Sequence, residues 1–565
     1  MKRNLIASVA ALSAGLISVG ALAQGAPPKL DILLKPHATS SGVGDYVDVT
    51  IKLEAPKAAA GDTLARLPLM IVSMPGIKLD AKDLKVTDAK GVVAITQADL
   101  PATPQWQYRH FNAGRATEGD VTLTYRAHVR EVSGTTRMGP LFDFRGQPGG
   151  VNGAGMTFLA LPDKKTPYSV TLNWDMSAYP LGAKGVHSLG EGQVKQIAPT
   201  DLWNFSYYYA GNVQTYEADG FSMYWTKTPP FDTQTVAHKI GTLYGQMTTF
   251  FKADGGSYRV FVRENPFSGM GGTALASSFI FGYDAGNPPT LDRLQALLAH
   301  EMAHNWLKIG GEHGDSAWYT EGTAEYYSIM LAQRAGLLTP AQVGDMINDR
   351  AFSYWSNPLS ALSNADAAAA FWKDNSAQTI PYGRGLLYLI NTDAKIRAAT
   401  GGAKTLDTIV QAMIAKQKAG ENPGIDVWLT LVGAEIGAQA KTDYDNMVAG
   451  KPLTPIAGAL GPCFSVVPTT VRRFDLGFDQ PSLDKKLISG VRAGSAASAA
   501  GLKDGDVVIE ATSVFDAQRT QTSPMTLKVK RGEALIDISY LPRGEAVAAH
   551  QWQRRTDVAD AACKL

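Results

Sequence analysis

The stretch ALLAHEMAHNWLK, Ala296 to Lys308, sets His300 and His304 four positions apart with Glu301 directly after the first of them. Pro289 and Thr290 precede it as helix start signals, and Leu294, Leu297, Leu298, Met302 and Trp306 recur at helical spacing, so the stretch is predicted to be helical. Side chains four apart on a helix lie one above the other, which lets two imidazoles point at a single tetrahedral ion. Glu301 is displaced round the helix from that line and can reach a water instead of the ion. This is the HExxH arrangement, in which zinc lowers the pKa of water towards about 7 and the glutamate accepts its proton. The alternative is a helix whose two histidines serve only the fold.

Two histidines do not complete a site, because a catalytic zinc takes three protein ligands and leaves a fourth position open. The next helical signature, SAWYTEGTAEYYSIML, begins at Ser316 and offers Glu321, 17 positions after His304. That is enough chain to turn back and bring a second helix beside the first. Four residues on, Glu325 shares the face of Glu321 and can accept a hydrogen bond from the second nitrogen of a ligating histidine. His313, in the intervening GGEHGDS loop, is a rival third ligand, but the glycine spacing of a three-histidine site is absent. A serine-hydrolase reading fails because no Gly-x-Ser-x-Gly elbow is present.

The chain is 565 residues long, which predicts several domains, each with its own core. Its first residues, MKRNLIASVAALSAGLISVGALAQ, place Lys2 and Arg3 before a short apolar run and the small-x-small signal Ala21-Leu22-Ala23. We read residues 1–23 as a secretory signal peptide, with an uncleaved anchor as the alternative. The expectation is an exported protein, periplasmic or secreted, whose mature chain has no membrane span. Of its 53 Lys and Arg, two lie in the leader, against 52 Asp and Glu, so the mature chain is close to neutral and nothing suggests nucleic acid. The two cysteines, Cys463 and Cys563, would meet an oxidising compartment, so a disulfide joining them is expected; two buried thiols are the alternative.

From residue 24 to 229 short alternating runs such as YVDVTIKLEA and YSVTLNWDM, separated by Gly, Pro and Asp clusters, predict a β-sandwich-like domain. Its Gly-rich RGQPGGVNGAGM reads as a mobile loop, not a phosphate cradle. Residues 230–335 mix helix and strand: TQTVAHKIGTLYGQMTTFFKA as a helix, SYRVFVRE as a strand, and GGTALASSFIFGY as one strand entered through Gly271 and Gly272. Residues 336–455 read as Ala-rich and helical. Strands return over 462–545, and 546–565 form a tail. The fold class is multidomain α+β.

HEMAHNW followed by WYTEGTAEYY resembles the gluzincin metallopeptidases, and within them the glycyl aminopeptidase family, metallopeptidase family sixty-one. The resemblance covers most of the mature chain and is faint in the β region. It implies a β-rich N-terminal domain, a thermolysin-like zinc peptidase domain, an α-helical domain and a C-terminal PDZ domain. It also implies one zinc ion on His300, His304 and Glu321, Glu301 as general base, and peptide substrates. In IPYGRGLLYLI, Tyr382 stands where the related aminopeptidases carry an oxyanion-stabilising tyrosine, followed by Arg384 and Gly385; without the resemblance it reads as a surface turn residue.

RRFDLGFDQ and AGLKDGDVV resemble a PDZ domain, with Leu476, Gly477 and Phe478 at the loop that captures a peptide's terminal carboxylate, so a peptide or protein C-terminus is a possible partner there. The bland reading is a covering module that binds nothing. Two departures stand out. The loop from His304 to Glu321 is shorter than in the broader gluzincin pattern. GGTALASS, on the substrate-binding strand with Gly271 and Gly272, has Ala274 where a glutamate for the substrate's free amino group is expected, with Glu264 or Asp284 as substitutes. Peptide hydrolysis is therefore better supported than exopeptidase action, and an endopeptidase, an oligopeptidase or a silent peptide-binding module are the alternatives.

Overall fold

A computed structural model describes residues 26–565 except 72–73, 104–105, 134–135, 137–138, 164–165, 254–255, 268–269, 372–373 and 564–565. The leader at 1–23 lies outside the described residues. Chain contacts divide the described residues into two units. One comprises 26–245 and 253–295, the other 246–252 and 296–565.

The first unit is built on strands whose side chains alternate. In Lys29–Ala38, Leu30, Ile32 and Leu34 point into the core while Lys29, Asp31 and Leu33 face solvent, the period of two that a half-buried strand requires. That strand sits within a seven-stranded sheet, between Tyr168–Trp174 and Gly44–Leu53. A four-stranded sheet centred on Thr63–Ile71 and Trp106–Ala113 supplies further residues to the same core, including Leu64, Leu67 and Phe111.

The Gly-rich segment expected to be a mobile loop is instead a buried hairpin. Arg145–Gln147 pairs with Gly150–Ala154, and the latter pairs on with Tyr207–Gly211. Its glycines serve close backbone approach: a Cβ on Gly146 would lie 1.8 Å from the Gly44 carbonyl oxygen, and one on Gly150 2.1 Å from that of Ala210. The turn between the strands needs Gly149 at φ +85°, which only glycine adopts without strain.

A mixed five-stranded sheet completes this unit, in the order Gln214–Ala218, Phe221–Trp225, Tyr258–Asn265, Ser278–Asp284, Gly271–Leu275. The segment GGTALASSFIFGY, expected as one strand, forms two that pair antiparallel. Ser277 takes φ 47°, a left-handed value that turns the chain back on itself. Gly271–Leu275 is thereby left at the edge of the sheet, paired among the described residues with Ser278–Asp284.

The second unit is helical, then β. Its helices include His313–Arg334, Pro340–Trp355, Asn375–Ala399 and Leu406–Lys418. The second of these starts with a full capping box, Thr339 accepting from the Gln342 amide and Gln342 accepting from the Thr339 amide. A long two-stranded ribbon, Phe464–Phe474 against Arg543–Arg554, and a three-stranded sheet, Val507–Ala511, Met525–Arg531 and Ala534–Tyr540, follow. The small core here gathers Phe474, Leu476, Phe478, Ile488 and Leu527.

The ribbon is tied to the helices. Asn348 donates to the Trp552 carbonyl and accepts from the Trp552 amide, both at 2.9 Å, and Gln333 donates to the Cys563 carbonyl. Cys463 and Cys563 form a disulfide with Cα atoms 5.4 Å apart. No helix among the described residues is long and apolar enough to cross a membrane.

Candidate metal centre

The helix Leu291–Ala303 carries His300 and Glu301, and ends one residue before His304. The chain continues there in a tight turn, with the Asn305 amide donating to the Met302 carbonyl, so His304 keeps its place above His300. Glu321 and Glu325 come from His313–Arg334 and lie one turn apart on one face. All five side chains are buried, His304 the least at 9% exposure.

His300, His304 and Glu321 converge on one point. His304 Nε2 is 3.1 Å from His300 Nε2, Glu321 Oε2 is 3.2 Å from His300 Nε2, and it is 3.6 Å from His304 Nε2. A tetrahedral ion with bonds near 2.0–2.1 Å holds its donors about 3.3 Å apart, so the three atoms stand at the spacing of a ligand set. They form the one cluster of three such groups found among the described residues. His313, the rival, begins the helix that bears Glu321, and its side chain lies outside the described residues.

Electrostatics set the two rings apart. Burial disfavours the charge on His300, but the hydrogen bond to Glu321 and the charges of Glu325, Glu321 and Glu301 outweigh it and push the group up to about 9. His304 is pulled down to about 4 by burial, with the charge of His300 adding to it. Burial works to raise Glu321, yet His304 and His300 hold it below the usual carboxylate range. Buried carboxylates facing two imidazoles concentrate negative charge where a divalent cation would neutralise it.

Glu325 divides its carboxylate. Oε1 lies 3.5 Å from His300 Nδ1, and Oε2 accepts from Arg350 Nε at 2.8 Å. Arg350, on Pro340–Trp355, was not singled out by the sequence: a lone arginine on a predicted helix gives no sign of which carboxylate it meets. Tyr382 is no turn residue. It lies inside the helix Asn375–Ala399, one position after Pro381, its ring stacked at 5.6 Å on His300 and its phenol hydrogen-bonded to Glu321. Proline reads as a breaker in sequence because it forfeits a helical hydrogen bond and its ring crowds the preceding turn, yet Pro381 is buried inside this helix.

Gly271, Gly272 and Ala274 are on the edge strand of the mixed sheet, in the first unit. Both substitutes for the absent glutamate are engaged there: Glu264 pairs with Lys227, and Asp284 Oδ1 accepts from the Gly286 amide. Leu476, Gly477 and Phe478 line a loop whose Gly477 amide donates to the Asp475 carboxylate at 2.9 Å, while Asp475 also pairs with Arg492. The helix Pro481–Lys485 follows, where a peptide-binding module would present a strand edge.

No protein-family model and no curated protein matches the chain. Solved structures do. An aminopeptidase N family protein from Idiomarina loihiensis aligns over 92% of this chain and 98% of its own, at TM-score 0.63 and 14% identity. An M1 zinc metallopeptidase from Deinococcus radiodurans covers 76% of this chain and 96% of its own, at TM-score 0.43 and 16% identity. Yeast LTA4 hydrolase in complex with bestatin covers 77% and 70%, at TM-score 0.43 and 13% identity. The first likeness establishes a shared multidomain α+β fold.

Proposed function

We propose that the chain is an exported, zinc-dependent metallopeptidase of the gluzincin type that removes residues from peptide N-termini. The observation that carries this is the spacing of 3.1, 3.2 and 3.6 Å among His300, His304 and Glu321, which fits a zinc ion with an open fourth position. A zinc ion held by these three residues would supply a Lewis acid that lowers the pKa of water and polarises a carbonyl.

The chain's own groups do the rest. Glu301 takes the proton of the attacking water as the carbon–oxygen bond forms, and returns it to the amine nitrogen as the carbon–nitrogen bond breaks. The Tyr382 phenol donates to the oxyanion that develops on the carbonyl, an interaction stronger in the transition state than in the ground state. Glu325, anchored by Arg350, holds the His300 ring in place through Nδ1.

The aminopeptidase reading draws on the fold shared with an aminopeptidase N family protein. Within that type, the glycyl aminopeptidase family is the narrower assignment, supported by HEMAHNW, WYTEGTAEYY and the Leu476-Gly477-Phe478 segment of a PDZ-like module. A second reading, an endopeptidase indifferent to the free amine, is favoured by Ala274 and by the engagement of Glu264 and Asp284 elsewhere. The silent peptide-binding module is disfavoured by the Gly477 amide, which Asp475 already occupies.

One peptide set, offered to the zinc-loaded protein with free and with acetylated N-termini and followed by mass spectrometry, separates these readings. Loss of the first residue from free peptides only supports the aminopeptidase. Internal cleavage of both forms establishes the endopeptidase, and no cleavage of either overturns the peptidase reading.

A further inference from the structure

The helix that carries Glu321 and the helix that carries Tyr382 touch through two glycines. A Cβ on Gly322 would lie 2.5 Å from Gly385 Cα, and one on Gly385 would lie 2.1 Å from the Trp318 carbonyl oxygen and 2.7 Å from Gly322 Cα. Neither glycine has a left-handed φ, so space and not conformation demands it. The obstructing atoms are backbone, which no rotamer change can move aside. Only separation of the helices makes room.

Each glycine is tied in sequence to a residue of the site. Gly322 directly follows Glu321, and Gly385 stands three positions after Tyr382, within one helical turn of it. On the same turn Arg384 is fully buried. It donates to Asn364 Oδ1 at 2.5 Å, to the Leu362 carbonyl at 2.6 Å and to the Ser360 carbonyl at 2.9 Å, which fixes the rotation of the helix about its axis. Glu321 and the Tyr382 phenol meet where these constraints intersect.

We propose that the Gly322–Gly385 crossing, locked in rotation by Arg384, is a positioning element that places the Tyr382 phenol against Glu321 and thereby aims it at the reacting carbonyl. The proposal rests on the zinc-peptidase reading of the site. None of the three residues is assigned a contact with substrate. A displacement of about 1 Å at a reacting centre costs on the order of 100-fold in rate, so one methyl group at the crossing should act on turnover through Tyr382.

The test is a double-mutant cycle on the full chain with Gly385→Ala and Tyr382→Phe. Gly344→Ala serves as control for an added methyl group in another buried helix: its Cβ would meet the Phe464 ring at 2.7 Å, a milder clash because the obstacle is a side chain. The expected result is a fall in kcat of about 30- to 100-fold in Gly385→Ala with KM nearly unchanged, and a further loss under about twofold when the same change is made in Tyr382→Phe. Equal losses in the two backgrounds, or an equal kcat loss in Gly344→Ala, would overturn the proposal.

A second readout does not depend on activity. With 3-fluorotyrosine at position 382 of the metal-free protein, Glu321→Gln should shift the fluorine resonance in the parent and leave it nearly unmoved in Gly385→Ala; a shift of the same size in both overturns the proposal. Should Gly385→Ala not fold, Arg384→Lys takes its place in both experiments, because it keeps the charge but cannot span its three acceptors, and the same outcomes decide. Failure of the underlying reading looks different: a parent without zinc or cleavage, or a Tyr382→Phe variant as active as the parent.

Discussion

His300 and His187 are both buried imidazoles, and their surroundings drive them in opposite directions. His187, in the first unit, is fully buried, stacks on Trp203 at 5.1 Å and packs against Tyr208 at 4.6 Å; burial, and then the charge of Arg259, pull it down to about 3. His300 is 6% exposed, yet three carboxylates push it up to about 9. Burial alone therefore makes a histidine a neutral core residue. Converging acceptors make it a candidate ligand, and only the second environment has a use for a cation.

The sharpest way to break that contrast is to measure metal. His304→Ala should abolish stoichiometric zinc and all peptide cleavage, whereas His187→Gln should leave zinc content at one per chain, both read by elemental analysis after dialysis. Zinc retained in His304→Ala would place the metal elsewhere.

Glu301 tests the chemistry with the metal in place. Glu301→Gln should keep zinc and lower kcat by about 1,000-fold, within the range for loss of a general base, in steady-state cleavage of a peptide that the parent hydrolyses. A drop of less than about tenfold would remove Glu301 from the proton path.

The next effect is smaller and acts through the second nitrogen of His300. Glu325→Gln should weaken zinc binding by about 10- to 100-fold in chelator competition. Arg350→Met should do so by less, since it leaves the Glu325 contact to His300 while removing the partner of its other oxygen. Unchanged affinity in both would mean that ring orientation is fixed by packing alone.

The Leu476–Phe478 loop offers a second contrast with the metal centre. There three side chains turn their ligand atoms toward one point; here Asp475 of the chain itself takes the Gly477 amide. The parent should bind a peptide with a free C-terminus no better than its amidated twin in fluorescence anisotropy, and Asp475→Ala should gain a preference of about threefold by freeing a donor for a carboxylate. A parent that already prefers the free carboxylate would show that Asp475 yields to ligands.

What the sequence disclosed follows from how local each feature is. The spacing of His300, Glu301 and His304 on one helix, and of Glu321 and Glu325 on the next, is set by helical periodicity, and strand alternation in Lys29–Ala38 by the period of two, so both can be read without a structure. Arg350 meets Glu325, and Gly322 meets Gly385, across distances in sequence that no period encodes. Glycine inside a helical pattern was the available signal at Gly322 and Gly385, since it costs about 1 kcal/mol against alanine and asks for a reason. Pro381 and the glycines of residues 145–156 misled in the same way: breaker residues look like loops until tertiary contacts show that they permit close packing instead.

His187 gives the cleanest test of the opening contrast. Its folded-state value of about 3 lies below the ordinary 6.5, so above about pH 6.5 the ring is neutral whether the chain is folded or not, and its contribution is fully present. As pH falls from there towards 3, the unfolded chain takes up a proton that the folded chain refuses, and stability declines by about 1.4 kcal/mol per pH unit. Hydrogen exchange of the strands Lys184–His187 and Tyr207–Gly211, compared between about pH 6.5 and 4.5, should show that decline in the parent and lose it in His187→Gln. Parallel slopes would mean that the ring is hydrated enough to accept the proton in place. Burial would then not be what separates His187 from His300, and the carboxylates of the metal centre would have to account for the whole difference.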